Sequence, residues 1–140
     1  MRFGRLALEA APGELAGLAD VVTVLLPWGS LLAAVAVPDP AGLDRLRRLC
    51  RPGAEVRVLF GYGPDADAAA VRALGLPALD DPSLPARLER GYRDAGLAVT
   101  ARPVPVEEVR ALPTTWAKKL AFSAKERRFV ELRGAAAGGP

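Results

Sequence analysis

The run Asp20-Val21-Val22-Thr23-Val24-Leu25-Leu26, closed by Pro27-Trp28-Gly29-Ser30, decides the fold. Its apolar and β-branched residues show no polar alternation, the pattern of a parallel strand covered on both faces. A central strand is expected here, not an edge. Outward from it, Leu31 to Val37 takes a helical pattern until Pro38-Asp39-Pro40 stops it. A helix is expected over Gly42 to Leu49, with Leu43, Leu46 and Leu49 on one face and Arg45, Arg47 and Arg48 outside. Glu55 to Phe60 reads as the next strand, bounded by Pro52-Gly53 and by Gly61-Tyr62-Gly63-Pro64. Asp65 to Leu74 follows as a helix with Asp65 and Asp67 in its first turn, where the dipole favours carboxylates. Leu84 to Ala95 is amphipathic, with Leu84, Leu88 and Tyr92 in one stripe and Gly96 as its C-cap. Val99 to Pro103 and Phe129 to Arg133 are the remaining downstream strands, with short helices over Glu107 to Leu112 and Thr114 to Phe122. Upstream, Phe3 to Leu8 reads as a short strand and Glu14 to Ala19 as a helical turn. Strands alternating with helices give the α/β class with a mostly parallel sheet, whose ligands sit at the carboxyl ends of the strands.

Composition narrows the chemistry. The 140 residues, 51% of them hydrophobic, suffice for one domain's core and not for two. A single cysteine, Cys50, and no histidine exclude a disulfide framework, remove the usual general base and leave no soft ligand set, so no metal is expected. The apolar runs Val21 to Leu26 and Leu31 to Val37 fall short of the ~20 residues that span a bilayer, and Arg5 and Glu9 break any leader-like start. A cytoplasmic monomer with no membrane contact is the expectation. The formal charge of +3 hides an asymmetry: Pro113 to Arg133 holds six basic residues against Glu126 and Glu131. Such a cluster is either a solvated helix face or a phosphate-binding surface. Gly61-x-Gly63 lacks a third glycine and runs into Pro64, which makes a poor phosphate cradle. Trp28, set between proline and glycine after a buried strand, either caps the core or faces a ligand.

Two motifs bear on these alternatives by resemblance. Leu25-Leu26-Pro27-Trp28-Gly29-Ser30-Leu31-Leu32 and Thr114-Thr115-Trp116-Ala117-Lys118-Lys119-Leu120-Ala121-Phe122 resemble the 16S ribosomal RNA adenine-N1 methyltransferases of aminoglycoside resistance, which modify adenine 1408 of the decoding site. The similarity takes in Gly75-Leu76-Pro77-Ala78-Leu79 and the helix end from Tyr92 to Leu97, and so runs over nearly all of residues 3 to 133. It implies S-adenosyl-L-methionine as cofactor and 16S rRNA within the small ribosomal subunit as partner. It implies that Trp28 and Trp116 sandwich the extruded adenine as the catalytic pair. Pro27, Ser30, Thr114, Thr115 and Glu9 fall at cofactor-lining positions, although Leu8 stands where relatives have Ala. Lys118, Lys119, Lys125, Arg127 and Arg128 fall in the region that docks on RNA phosphates.

The resemblance also implies a fold: a class I S-adenosylmethionine-dependent methyltransferase, Rossmann-like, with strand order 3-2-1-4-5-7-6. Such a domain needs a Gly-rich loop after its first strand and an acidic residue after its second. Neither motif occurs in this sequence. The expectation is a partial domain over residues 1 to 133 with its first two strands missing, and a flexible Gly/Ala tail over 134 to 140. Phe3 to Leu8 would then lie irregularly beside the bared Val21 to Leu26 strand or be poorly ordered. Two other readings remain at this point: a catalytically silent RNA-binding remnant, and a small α/β binding domain in which both tryptophans are core residues.

Overall fold

The computed structural model describes residues 17–63, 67–111 and 128–137. The DVVTVLL run forms β1 (Ala19–Leu25), and α1 (Gly29–Ala36) opens three residues after Leu26. α2 (Pro40–Leu49) starts with proline at its first position and with the Asp39 carboxylate accepting from Gly42 N at 2.9 Å, a side-chain cap on an otherwise orphaned N–H. β2 (Cys50–Tyr62), α3 (Ala68–Leu74), α4 (Leu84–Asp94), β3 (Leu97–Val104), α5 (Val106–Arg110) and β4 (Arg128–Ala136) complete the order.

The sheet order is β1-β2-β4-β3. β1 and β2 are parallel, with Leu25 beside Leu59, whereas β4 is antiparallel to both β2 and β3. β3 therefore runs in the same direction as β1 and β2. The last strand in sequence enters the sheet between two strands already in place, which is the 4-5-7-6 part of the order given above. The sheet is thus mixed, and β4 is its reversed member.

Alternation on β2 sends Val56, Val58, Phe60 and Tyr62 to one face and Arg57 and Leu59 to the other. The first face carries the main core, where Leu32 and Val35 of α1, Leu43 and Leu46 of α2 and Leu84, Leu88 and Tyr92 of α4 are buried. The second face holds a small cluster of Leu26, Leu59, Val104, Val109 and Phe129 beneath α5. Beyond that cluster it is polar: Arg57 Nε donates to Glu131 Oε2 at 2.8 Å and Arg102 Nε to Glu131 Oε1 at 3.1 Å.

Three sequence expectations are corrected. Among the described residues β1 is an edge strand paired only with β2, which corrects the central position suggested by its own residues and agrees with the bared strand that the resemblance implies; Thr23 and Leu25 are exposed, because no described element covers their side of the sheet. Residues 134–136 are strand rather than tail. Their small side chains let β3 approach: a Cβ on Gly134 would lie 1.9 Å from Ala98 O. Ala136 is buried, and Ala137 N donates to Gly96 O at 2.8 Å. Arg47 is not a solvated charge either, since its guanidinium donates to Cys50 O at 3.1 Å and to Ala137 O at 2.8 Å, tying the end of α2 to the chain after β4. Phe3 to Leu8, Asp65, the helix over Thr114 to Phe122 and residues 138–140 lie outside the described residues.

Candidate functional site

The carboxyl end of the parallel strands is built by an abrupt change of backbone direction. Leu26 N donates to Leu59 O at 2.7 Å, closing the β1–β2 ladder, and Leu26 itself adopts φ 49. A leucine in the left-handed region is a strained position, held here because the side chain is buried in the small cluster under α5. Gly29, three residues on, adopts φ 62 with nothing within 4 Å of where its Cβ would stand. Two left-handed residues bracket Pro27 and Trp28. Pro27 is buried, while Trp28 is turned outward at 38% exposure as the N-cap residue of α1, with φ −126 and ψ 169. It gives α1 no side-chain cap, and Ser30, in the first turn, is exposed. A tryptophan at an N-cap forgoes the stabilisation that Ser, Thr or Asp supplies there, so the local fold spends this position on presenting an indole.

The same end of the sheet receives the other chain segment of interest. Arg128, the first residue of β4, stands opposite Tyr62 at the end of β2, and Phe129 stands opposite Val104 at the end of β3. Arg128 is exposed and lines a cavity of about 260 Å³ with Asp80, Asp81, Pro82, Arg102 and Pro103 among its walls. α5 follows β3 at this end and finishes before Ala111. Ala111 and Arg128, the described residues on either side of 112–127, thus both lie at the end of the sheet where Trp28 stands. Thr114, Thr115, Trp116, Lys118, Lys119, Lys125, Arg127 and Glu9 lie outside the described residues, so of the expected site Pro27, Trp28, Ser30 and Arg128 are placed, all at this end.

One wall of the end region went unread in the sequence. Tyr62 Oη donates to Pro77 O, which holds the connection between α3 and α4 against the end of β2. Burial raises the Tyr62 hydroxyl well above the ordinary phenol range, so it serves as a neutral donor. Asp81 is held below the usual carboxylate range, chiefly by the Ser83 backbone N–H and hydroxyl, with Arg87 adding to it. The run of Pro77, Pro82 and Pro85 was the available signal for a fixed loop. Gly61 and Gly63 form no cradle: Gly61 packs within β2 against Phe129, and Gly63 N donates to Asp67 Oδ2 at 2.8 Å. Burial pushes the Cys50 thiol up against the opposing charge of Arg47, which disfavours its nucleophilic thiolate form. Among the described residues no group of three or more His, Cys, Asp or Glu could hold a metal, and no helix is long and apolar enough to cross a membrane.

Residues 3–135 match the NpmA family model, described as 16S rRNA (adenine(1408)-N(1))-methyltransferase. The chain belongs to this family. A 16S rRNA (adenine(1408)-N(1))-methyltransferase of Escherichia coli is 29% identical over 130 residues, which are 91% of this chain and 59% of that protein. The solved methyltransferase Kmr, an antibiotic-resistance protein, is 38% identical with a TM-score of 0.67, over 96% of this chain and 61% of that one. A variant of the Catenulisporales acidiphilia methyltransferase, solved with its cosubstrate SAM, gives a TM-score of 0.76 at 28% identity, over 96% of this chain and 62% of that one. The chain spans about three-fifths of the length of these family members. Its mixed sheet is the family's methyltransferase fold over that span.

Proposed function

We propose that this chain carries the base-clamping side of an S-adenosylmethionine-dependent methyl transfer to N1 of an adenine in 16S rRNA, the modification behind aminoglycoside resistance. The observation that carries the reading is Trp28, an indole presented outward at the carboxyl end of a parallel strand, between two left-handed residues, in a chain of this family. Adenine N1 in folded RNA is hidden by stacking or pairing, so the base must be extruded at a cost of a few kcal/mol. Base–aromatic stacking is worth roughly 1–3 kcal/mol per base, so Trp28 and Trp116 together would offset that cost. Neutral adenine N1 carries an available lone pair, and the work of the chain is then alignment rather than proton abstraction. That no histidine is present is compatible with such a reaction.

The open space beside Gly29 and the exposed Ser30 fit the methionine end of S-adenosylmethionine, which supplies an electrophilic methyl on its sulfonium. Pro27 and Ser30 would line it, joined by Thr114, Thr115 and Glu9. Lys118, Lys119, Lys125, Arg127 and Arg128 would neutralise rRNA phosphates beside the clamp, in the cytoplasm and with the chain acting as a monomer.

The test has two arms, run on the purified chain and on the same chain joined to the unmatched part of Kmr, which supplies the remaining length of a family domain. Calorimetry with S-adenosylmethionine reads the cofactor, and mass spectrometry of 16S rRNA after incubation with 30S subunits reads a methyl on adenine N1. Binding together with methylation is the expected result. Salt-dependent 30S binding with no cofactor binding would overturn the methyl-transfer reading and leave an RNA-binding protein.

A further inference from the structure

The apolar side chains of the sheet fall into two clusters, and the smaller one sits where both tryptophan motifs meet the sheet. Leu26, Leu59, Val104, Val109 and Phe129 are buried together on the face opposite the main core. They come from five stretches of chain: the turn after β1, then β2, β3, α5 and β4. Leu26 precedes Trp28 by two residues. Val109 precedes Ala111 by two, and Phe129 follows Arg128 directly. Ala111 and Arg128 flank residues 112–127, which contain Trp116. Three of the five side chains are therefore anchored within two residues of Trp28 or of a flank of the Trp116 segment.

Each anchor leaves the chain little choice. Leu26 is held at φ 49 by the bond from its N to Leu59 O at 2.7 Å and by a side chain buried in the cluster. A leucine stays in the left-handed region only where its surroundings over-determine it. Without that packing the residue can return to an ordinary conformation, and the turn that buries Pro27 and directs Trp28 outward changes with it. Phe129 is fixed from both sides, opposite Gly61 on β2 and Val104 on β3. Its ring occupies the space that a Cβ on Gly61 would enter, at 2.2 Å. Val109, the buried residue of α5, seats that helix on the same cluster.

We propose that Leu26, Val109 and Phe129 are positioning residues, whose shared cluster holds the indole of Trp28 in fixed relation to Ala111 and Arg128 and so to the two flanks of the segment bearing Trp116. A base clamp needs such a tie. Dispersion contact falls off steeply with spacing, and a gap of about 0.5–1 Å already forfeits a quarter to a half of it. An adenine gripped between two indoles is thus held only as well as the supports of the two indoles are held to each other. The consequence for methylation rests on the base-clamp reading; the fixing of Trp28 does not, and it is measured without any methyl transfer.

The sequence has two tryptophans, so Trp116→Phe leaves Trp28 as the sole indole. In that background Val109→Ala is compared with Val56→Ala, which removes the same volume from an equally buried position in the main core. Thermal midpoint, fluorescence anisotropy and acrylamide quenching are read on each. Both variants should lose stability to a similar degree. Only Val109→Ala should lower the anisotropy of Trp28 and raise its quenching towards that of a fully exposed indole. Val109→Ile, which keeps the space filled, should read as the parent does. Should Val109→Ala unfold, Val104→Ala empties the same cluster from β3. In the chain joined to the unmatched part of Kmr, with both tryptophans present, Val109→Ala should lower kcat for methylation of 30S subunits by about 10- to 100-fold with KM nearly unchanged, and Val56→Ala should not. Trp28 signals alike in Val109→Ala and Val56→Ala would overturn the proposal, as would an equal loss of kcat in the two. A parent that never methylates, in which Trp28 still loosens with Val109→Ala alone, would overturn the methyl-transfer reading and uphold the positioning of Trp28.

Discussion

Arg57 Nε donates to Glu131 Oε2 at 2.8 Å across the β2–β4 pair, on a carboxylate whose side chain is only 3% exposed. Burial alone would raise the Glu131 carboxyl. Arg57, with Arg102 on the other oxygen, outweighs it, and the group is held below its ordinary value of 4.5. A depressed carboxylate contributes stability that is fully present above the unfolded-state value and is lost as pH falls through the folded one. The unfolded chain binds the proton first in that window, so stability should rise with pH there. Thermal midpoints measured downward from pH 6 should therefore begin to fall near 4.5 and continue below it. Glu131→Gln should flatten that part of the profile, and an unchanged profile would show that the pair contributes nothing.

Tyr92 tests how the helical layer is held. Three of the terminal carbonyls of α1 find a donor: Ala33 O accepts from Val37 N, Ala34 O from Asp39 N, and Val35 O from Tyr92 Oη at 2.8 Å. Both partners of the last bond are buried. Tyr92→Phe keeps the ring volume and orphans the carbonyl, a loss of about 1–3 kcal/mol. Urea titration of the two proteins measures it. A difference within about 0.5 kcal/mol would mean that water reaches Val35 O.

Gly61 and Gly134 should both resist substitution, for different reasons. A Cβ at residue 61 would meet the Phe129 ring at 2.2 Å and Arg128 O at 2.5 Å, whereas at residue 134 it meets the β3 backbone, Ala98 O at 1.9 Å and Val99 Cα at 2.7 Å. A ring can rotate in part and a paired strand cannot. Each alanine variant should be destabilised by about 1–3 kcal/mol or more, with Gly134→Ala the worse of the two. Denaturant midpoints decide the order. A neutral Gly134→Ala would show that residues 134–136 do not pair with β3 in solution.

The strands and helices were legible where hydrophobic periodicity is strong. The α4 stripe of Leu84, Leu88 and Tyr92 is buried as its spacing requires, and the apolar β2 run forms its strand. Two features are not written in local periodicity. The edge position of β1 depends on which other strands are present, so its own residues suggested a central strand and only the resemblance implied a bared one. The strand character of Gly134–Ala136 arises from a close approach of β3 that rewards the absence of side chains, where propensity alone reads a loose tail. In the site, Pro27-Trp28-Gly29-Ser30 marked its own position through proline and glycine flanking a lone indole. The hold of Tyr62 on Pro77 spans fifteen residues, and no spacing rule anticipates it.

Trp28 separates a presented indole from a core one. It is partly exposed at the N-cap of α1 and gives that helix no side-chain cap. Trp28→Ala should shift unfolding by no more than about 0.5 kcal/mol, the scale of surface substitutions, whereas a buried tryptophan would cost about 3–5 kcal/mol. If the indole stacks on the extruded adenine, the same variant should lose roughly 5- to 150-fold in methylation of 30S subunits, the equivalent of one stacking contact. Trp28→Phe, which retains an aromatic face, should recover part of that loss. Stability collapsing along with activity would assign Trp28 to the core instead, and activity intact in a stable Trp28→Ala protein would remove it from the clamp.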